Sequence, residues 1–289
     1  MKDTAVLLID CPDRKGLVAR VSGLLYEQGA NILHADQHID HELGMFFMRV
    51  EWALNGASPE ENRFDLGGFR AAFTRLGEEL GMRWTLGSGA RRPRVALFCS
   101  QYLHCVADLL YRWKTCELDC EIGLIVSNHR APEELAGFYG VPFAHMPVTA
   151  ETRREAERKQ LERLEAEEIE LVVLARYMQI LSGEFVGRYP AAIINVHHSF
   201  LPAFTGARPY RAAHQRGVKL IGATSHYVTE VLDDGPIIEQ DVTRISHRDQ
   251  VEDLVARGRD LERMVLSRAV RWHLERRILC YGNKTVVFD

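Results

Sequence analysis

Two stretches of the chain hold the side chains best suited to chemistry. The first reads Asn195-Val196-His197-His198-Ser199-Phe200-Leu201-Pro202, directly after an apolar run, Ala191 to Ile194, that predicts a buried strand. The second runs from His226 through Asp233-Asp234-Gly235-Pro236 to Ile238. Asn195 and His197 are two residues apart, and an extended backbone puts both side chains on one face. An amide donor beside an imidazole suits a carbonyl that must gain negative charge. The amide holds the oxygen, and the imidazole supplies a proton or positive charge. Asp233 adds a carboxylate at a turn signalled by Asp-Gly-Pro. Each of these residues alone is an ordinary cap or turn residue. Together they make an acid/base site for acyl chemistry that requires no protein nucleophile.

A metal centre built from His197, His198, His226 and Asp233 is the competing reading. Adjacent strand residues point to opposite faces, so His197 and His198 would not converge on one ion, and Asn195 would have no role. No metal and no other cofactor is expected. The six cysteines, Cys11, Cys99, Cys105, Cys116, Cys120 and Cys280, lack a zinc-type spacing with a nearby histidine and read as buried thiols.

The elements that must position these residues follow from the apolar rhythm. From Arg94 onward strands alternate with helices: 95–99, 122–126, 143–147 and 171–174 read as strands, and 103–113, 133–139 and 151–168 as helices. The last of these helices is charge-rich, with Leu161 and Leu164 among its few apolar residues, which predicts a solvated face. Residues 222–228 and 236–245 read as further strands, 249–277 as a long helix, and 278–280 with 285–288 as a closing pair. Such alternation predicts a Rossmann-like, mostly parallel sheet, in which sites lie beyond the carboxyl ends of the strands. Asn195 sits at one such end, and Asn128 and Tyr177 at others.

The first 86 residues have a different order. A strand (4–9), a turn through Asp10-Cys11-Pro12-Asp13-Arg14-Lys15-Gly16, a helix carrying Leu17, Val18, Val21, Leu24 and Leu25, and a hairpin (30–40 and 45–52) come first. A polar stretch (55–63), a helix with Leu66, Phe69, Phe73, Leu76 and Leu80, and a fourth strand (82–86) complete a ferredoxin-like βαββαβ unit. Residues 87–93, Gly-Ser-Gly-Ala-Arg-Arg-Pro, read as the linker, and residues 94–289 as the second domain.

The totals are ordinary for a soluble globular protein. At 289 residues two domains are the default, and 46% hydrophobic with 26% charged residues is ordinary. A net charge of −4 gives no electrostatic reason to expect nucleic acid. The apolar run at the N-terminus is too short, and too soon followed by Asp10 and Asp13, for a secretion signal. No run approaches the roughly 20 apolar residues that cross a bilayer. A cytoplasmic protein without membrane partners is expected.

The order Asn-x-His, Ser-x-Leu-Pro, then His226 followed seven residues later by Asp233 and by Gly-Pro-Ile, resembles the formyltransferase family that uses 10-formyltetrahydrofolate. His198 stands where the amino-transferring members usually have proline, and this variant looks closest to the hydrolase branch. The resemblance implies that Asn195 and His197 stabilise an oxyanion, that Asp233 orients and deprotonates water, and that His226, with His198, lies behind them. It places the folate ring in a cleft between Met178, Gln179, Ile180 and Leu181 and the loop carrying Val231 and Leu232. The implied reaction releases formate and tetrahydrofolate, balancing the one-carbon pool and supplying formate for purine synthesis. Glycinamide ribonucleotide members cradle a phosphate in a Gly-rich loop after the first strand of this domain, where Ser100-Gln101-Tyr102-Leu103-His104-Cys105 has no glycine. Members that formylate transfer RNA add a C-terminal domain, whereas this chain has an N-terminal one. Both departures favour water as acceptor. A transferase to an unidentified amine, and a non-catalytic folate or amino-acid sensor, are the alternatives.

The N-terminal block resembles an ACT domain, on Asp10 to Gly16 after the first strand and Gly29-Ala30-Asn31-Ile32 after the first helix. ACT domains commonly bind a small amino acid between copies. That resemblance places an effector near Asp13, Gly16 and Asn31 and implies a homo-oligomer, a dimer or a tetramer. A tight turn at Gly16 and local backbone satisfaction by Asn31 explain the same residues without a ligand.

Overall fold

The computed structural model describes residues 3–55, 64–89, 91–203 and 209–289. Most of the polar stretch at 55–63, and Ala90 of the linker, therefore lie outside the described residues. Two compact units are present: residues 1–92 with 276–279 and 286–289, and residues 93–275 with 280–285. The end of the chain thus groups partly with the first unit. Among the described residues, no helix is long and apolar enough to cross a membrane.

The first unit runs β1 (Thr4–Pro12), α1 (Leu17–Glu27), β2 (Asn31–Asp40), β3 (Met45–Ala53), α2 (Leu66–Leu80) and β4 (Arg83–Ser88). Its sheet has the order β2-β3-β1-β4, and every neighbouring pair is antiparallel. This is the ferredoxin-like layout. Leu17, Val21 and Leu25 recur at helical spacing and are buried, as are Phe69, Phe73, Leu76 and Leu80 of α2. The core they share is aromatic: Trp52 and Phe69 have ring centroids 5.1 Å apart, and Phe73 and Trp84 also 5.1 Å. Gly16 precedes α1 at φ 91, a conformation that glycine alone adopts without strain. β4 takes in Gly87 and Ser88, which pair with Val6 and Ala5, so the first two residues of the expected linker belong to the sheet.

The second unit contains β5 (Arg94–Cys99), α3 (His104–Lys114), β6 (Glu121–Ser127), α4 (Glu133–Tyr139), β7 (Phe143–His145), α5 (Arg153–Ala166) and β8 (Leu171–Leu174). Then follow α6 (Gly183–Arg188), β9 (Ile193–His197), α7 (Pro209–Arg216), β10 (Leu220–Tyr227), β11 (Ile237–Arg244) and α8 (Val251–Leu274). A short pair, β12 (Ile278–Tyr281) and β13 (Lys284–Val287), ends the chain. The sheet order is β11-β10-β9-β8-β5-β6-β7, with β9-β8-β5-β6-β7 parallel and β10 and β11 antiparallel. β8 is buried at every position, and β5 at every position after Arg94, as a parallel strand covered on both faces requires. The chain leaves β5 toward β6 and later returns to its other side as β8. The switch point therefore lies between the ends of β5 and β8.

The charge-rich helix α5 corrects a reading of the sequence. It is not simply a solvated face: Glu157 and Gln160 are buried along with Ala156 and Leu164. Glu157 accepts the Ser182 N–H at 3.0 Å, Gln160 donates to the Tyr177 hydroxyl at 3.0 Å, and Arg153 donates to the Ile180 carbonyl. The inner face of α5 thus ties down residues 177–182 at three points.

Candidate active site

The end of β9 is fixed by its neighbours. Leu174 of β8 pairs with Asn195, and across β10 Asn195 faces His226 while His197 faces Thr224. Asn195 Nδ2 is 3.2 Å from His226 Nε2, and His226 Nδ1 is 2.8 Å from the Tyr227 carbonyl oxygen. A carbonyl can only accept, so Nδ1 carries the proton and Nε2 of the neutral ring accepts. Burial holds the His226 pKa below its ordinary value and so keeps the ring neutral. Asn195 therefore donates through Nδ2, and a second N–H remains on the same nitrogen for a ligand.

His197 stands two residues on. Its Nδ1 lies 3.3 Å from Asp233 Oδ2, and its Nε2 is buried with no hydrogen-bond partner among the described residues. Asp233 Oδ1 is 3.9 Å from His226 Nε2, beyond hydrogen-bond reach. The hydrogen bond with His197 outweighs desolvation and, with the nearby histidines, holds the Asp233 carboxyl below its usual pKa. Asp233 occupies the left-handed region at φ 56, where aspartate is tolerated better than most residues. Gly235 secures this loop from behind, because a Cβ there would clash with the Tyr227 carbonyl that binds His226.

Asn195, His197 and Asp233 open onto a cavity of about 660 Å³, the size of a small-molecule site. Its walls include Met178 and Ile180 on one segment and Val231 and Leu232 on the other, exposed by 47%, 54%, 62% and 61%. Apolar side chains this open are not core residues; they are surface that a flat apolar ligand can cover. Gln179 also lines the cavity, whereas Leu181 touches it but is buried in the core with Phe98 and Phe185. The segment is held by Ser100, whose Oγ accepts the Met178 N–H at 3.0 Å and donates to Asn128 Oδ1 at 2.7 Å. Tyr177 faces inward, and burial pushes its hydroxyl up to about 12. His198 is buried, with its ring 5.2 Å from that of His197 and 6.0 Å from that of Tyr210.

Arg176 is a lining residue that the sequence reading passed over. The signal available was position alone, a charged residue just past the carboxyl end of a parallel strand. Among the described residues, the His/Cys/Asp/Glu group compact enough for a metal is His104, Cys105 and Glu262, away from Asn195 and Asp233. There His104 and Glu262 are already ion-paired at 2.7 Å.

The expected effector residues do not meet within one chain. Asn31 and Thr4 both pair with Ala53, at one end of the first sheet, whereas Asp13 and Gly16 follow Pro12 at the other. Nine residues of strand separate these ends, roughly 26 Å. All three residues are exposed.

A doubly wound sheet with an Asn-x-His strand end, an Asp loop facing it and an ACT-type unit ahead of it defines a formyl-handling enzyme with an added regulatory-type module. The family model described as Formyl transferase matches residues 93–270, and the ACT domain model matches residues 5–51. A formyltetrahydrofolate deformylase of Synechocystis sp. is 50% identical over 99% of this chain and 98% of its own. That of Bacillus subtilis is 48% identical over 100% of this chain and 95% of its own. The crystal structure of a formyltetrahydrofolate deformylase from Pseudomonas syringae pv. tomato superposes with a TM-score of 0.94 at 49% identity, over 99% of this chain and 94% of that one. The chain belongs to the formyltetrahydrofolate deformylase family.

Proposed function

We propose that this chain hydrolyses 10-formyltetrahydrofolate to formate and tetrahydrofolate, the formate serving purine synthesis. The observation that carries the reading is the composition of the cleft. Asn195, His197 and Asp233 converge on it, and among the described lining residues there is no serine, cysteine or lysine to act as nucleophile. The one hydroxyl of a threonine there, Thr229, is spent on the Val231 carbonyl at 3.1 Å. The attacking group is therefore a second substrate, and the similarity to deformylases favours water over an amine.

In this reading the folate ring lies between Met178–Ile180 and Val231–Leu232, and the formyl group reaches the end of β9. Asp233 orients water through Oδ1, since Oδ2 is taken by His197. Water oxygen bonds to the formyl carbon, and the carbonyl oxygen becomes an oxyanion bound by the free N–H of Asn195 and by Nε2–H of His197. Asp233 takes the water proton as this charge develops. The C–N bond then breaks and N10 leaves with a proton relayed through His197, giving tetrahydrofolate and formic acid, which loses its remaining proton to solvent as formate. A low carboxyl pKa makes Asp233 an orienting group first and a base second. No metal or organic cofactor enters any step.

An effector site using Asp13, Gly16 and Asn31 draws Asn31 from a second copy of the chain, so the ACT-type unit would regulate as a dimer or larger. The test of the reaction is release of formate and tetrahydrofolate from 10-formyltetrahydrofolate with a chelator and without an amine. Turnover only after an amine is added would make the chain a transferase. Folate binding without turnover in either case would make it a sensor.

A further inference from the structure

Arg176 stands between two cavities. One is the cleft just described, and the other, of about 320 Å³, contains Tyr102, His104, Arg211, Arg259 and Glu262. Arg176 and His198 line both. The backbone is set for this placement. Ala175 N–H donates to the Phe98 carbonyl at 2.8 Å, the Ser100 N–H donates to the Arg176 carbonyl at 3.3 Å, and Arg176 itself takes φ 64. A residue with a Cβ is held there only by its surroundings, and such positions cluster at functional sites.

The charge balance of the second cavity is positive. Three guanidinium groups face one carboxylate, Glu262. That carboxylate is 1% exposed and already accepts from His104 Nε2 at 2.7 Å and from the Tyr210 hydroxyl at 2.6 Å. Arg176 reaches it only through a 3.4 Å contact from Nε. The Arg176 side chain is 10% exposed, and its Nε and Nη1 make no hydrogen bond among the described residues. Arg176 and Arg259 both lie over the Tyr102 ring, with Cζ atoms 5.4 and 5.8 Å from its centroid. Neither Arg211 nor Arg259 is ion-paired among the described residues. A buried guanidinium short of partners, with two more at the same cavity, is a receptor for a small anion.

We propose that this second cavity receives the formate released at Asn195, His197 and Asp233, and lets it leave on the side away from the folate. The inference rests on the hydrolytic reading. Formate is born beside the Asp233 carboxylate, which repels it, and the guanidinium lining the same cleft is that of Arg176. A planar carboxylate matches a guanidinium in a two-point hydrogen bond. Tetrahydrofolate filling the cleft would block the other exit, so a second opening allows formate to depart first.

Binding of ¹³C-formate to the full chain, followed by NMR line broadening, tests this without turnover. Formate should bind with the cleft empty and equally when tetrahydrofolate saturates it. Arg176→Gln should weaken it at least about tenfold, through loss of a charge-assisted hydrogen bond. Exposed Arg259→Gln, which threatens folding less, should weaken it in the same direction. In turnover, formate should inhibit the unsubstituted chain noncompetitively against 10-formyltetrahydrofolate. Displacement of formate by tetrahydrofolate, or unchanged binding in both variants, would overturn the proposal. So would inorganic phosphate that binds the cavity more tightly than formate, which would mark it as a site for an anion from solution. Failure of the hydrolytic reading would appear separately, as no formate formed from the folate substrate.

Discussion

Asn195 and His226 face each other across β9 and β10 with Nδ2 and Nε2 3.2 Å apart, and a third group decides which of them donates. The Tyr227 carbonyl takes the proton of His226 Nδ1, so the ring must accept from the amide. The amide is thereby oriented by a neutral, buried histidine. Its free N–H is then preorganised, which is what an oxyanion donor needs.

Asn195→Ala should lower kcat for formate release by about 100- to 1,000-fold, the usual worth of one oxyanion donor. KM should move little, because the donor acts on charge that develops after binding. Steady-state kinetics with 10-formyltetrahydrofolate read both constants. Turnover near that of the unsubstituted chain would remove Asn195 from the mechanism.

Gly235→Ala probes the same network from behind. The new methyl group would meet the Tyr227 carbonyl, and either the Asp233 loop or the carbonyl must shift. Displacement of catalytic groups by about 1 Å costs on the order of 100-fold in rate. The variant should therefore lose about that much kcat while remaining folded by circular dichroism. An alanine variant with full activity would show that the Tyr227–His226 contact does not govern the site.

Much of this site was legible in the sequence because it depends on local periods. Asn195 and His197 share a face through strand spacing, and Asp233 is delivered by a turn that Asp-Gly-Pro announces. What could not be read depends on non-local pairing. Gly87 and Ser88 look like linker residues until Val6 and Ala5 of β1 pair with them. Glu157 and Gln160 sit in a charge run whose composition does not reveal which face turns inward. The positive φ of Arg176 is set by hydrogen bonds to Phe98 and Ser100, seventy-odd residues away, and leaves no local mark. The helices α6 and α7 have six and eight residues, too few for an apolar period to show. Asp13, Gly16 and Asn31 are close in sequence, yet a helix that returns the chain along β1 places them at opposite ends of a sheet.

Ile180→Ser and Leu232→Ser should act on binding rather than chemistry. Both side chains are more than half exposed in the open cleft and would be covered by a bound ring. Covering such a side chain stabilises by up to about 1.5–3 kcal/mol, so KM should rise roughly tenfold or more per substitution. An unchanged kcat would mark the loss as uniform binding. Unaltered KM in both variants would move the folate elsewhere.

The thiols give a check on packing that is independent of catalysis. Burial raises Cys99 to about 12 and Cys280 to about 11, and pushes Cys11 and Cys105 upward as well. Cys116 is exposed. A thiol reagent at pH 7.5 should modify Cys116 rapidly in the native chain, and all six cysteines only after denaturation. Peptide mapping locates the label. Rapid labelling of Cys99 or Cys105 would contradict the packing around β5 and α3.

Asp233→Asn separates charge from shape. Asparagine accepts the left-handed backbone that Asp233 adopts at φ 56, so the loop should keep its course. The variant loses the carboxylate that holds His197 and, in the proposed reaction, orients water, and kcat should fall by about 1,000- to 10,000-fold, as when an imidazole loses its carboxylate partner elsewhere. Stability should respond to pH in a defined direction. The folded-state pKa of Asp233 is lowered, chiefly by the hydrogen bond with His197, so the folded chain binds this proton less readily than the unfolded chain does. Its contribution is complete above the ordinary carboxylate value, about 4, and is lost as pH falls through the lowered folded-state value. The Tm of the unsubstituted chain should therefore exceed that of Asp233→Asn at about pH 5, and the gap should close on further acidification. A gap independent of pH down to 3 would mean that the His197–Asp233 contact does not bind the charged carboxylate in solution, and the roles of both residues would have to be reassigned.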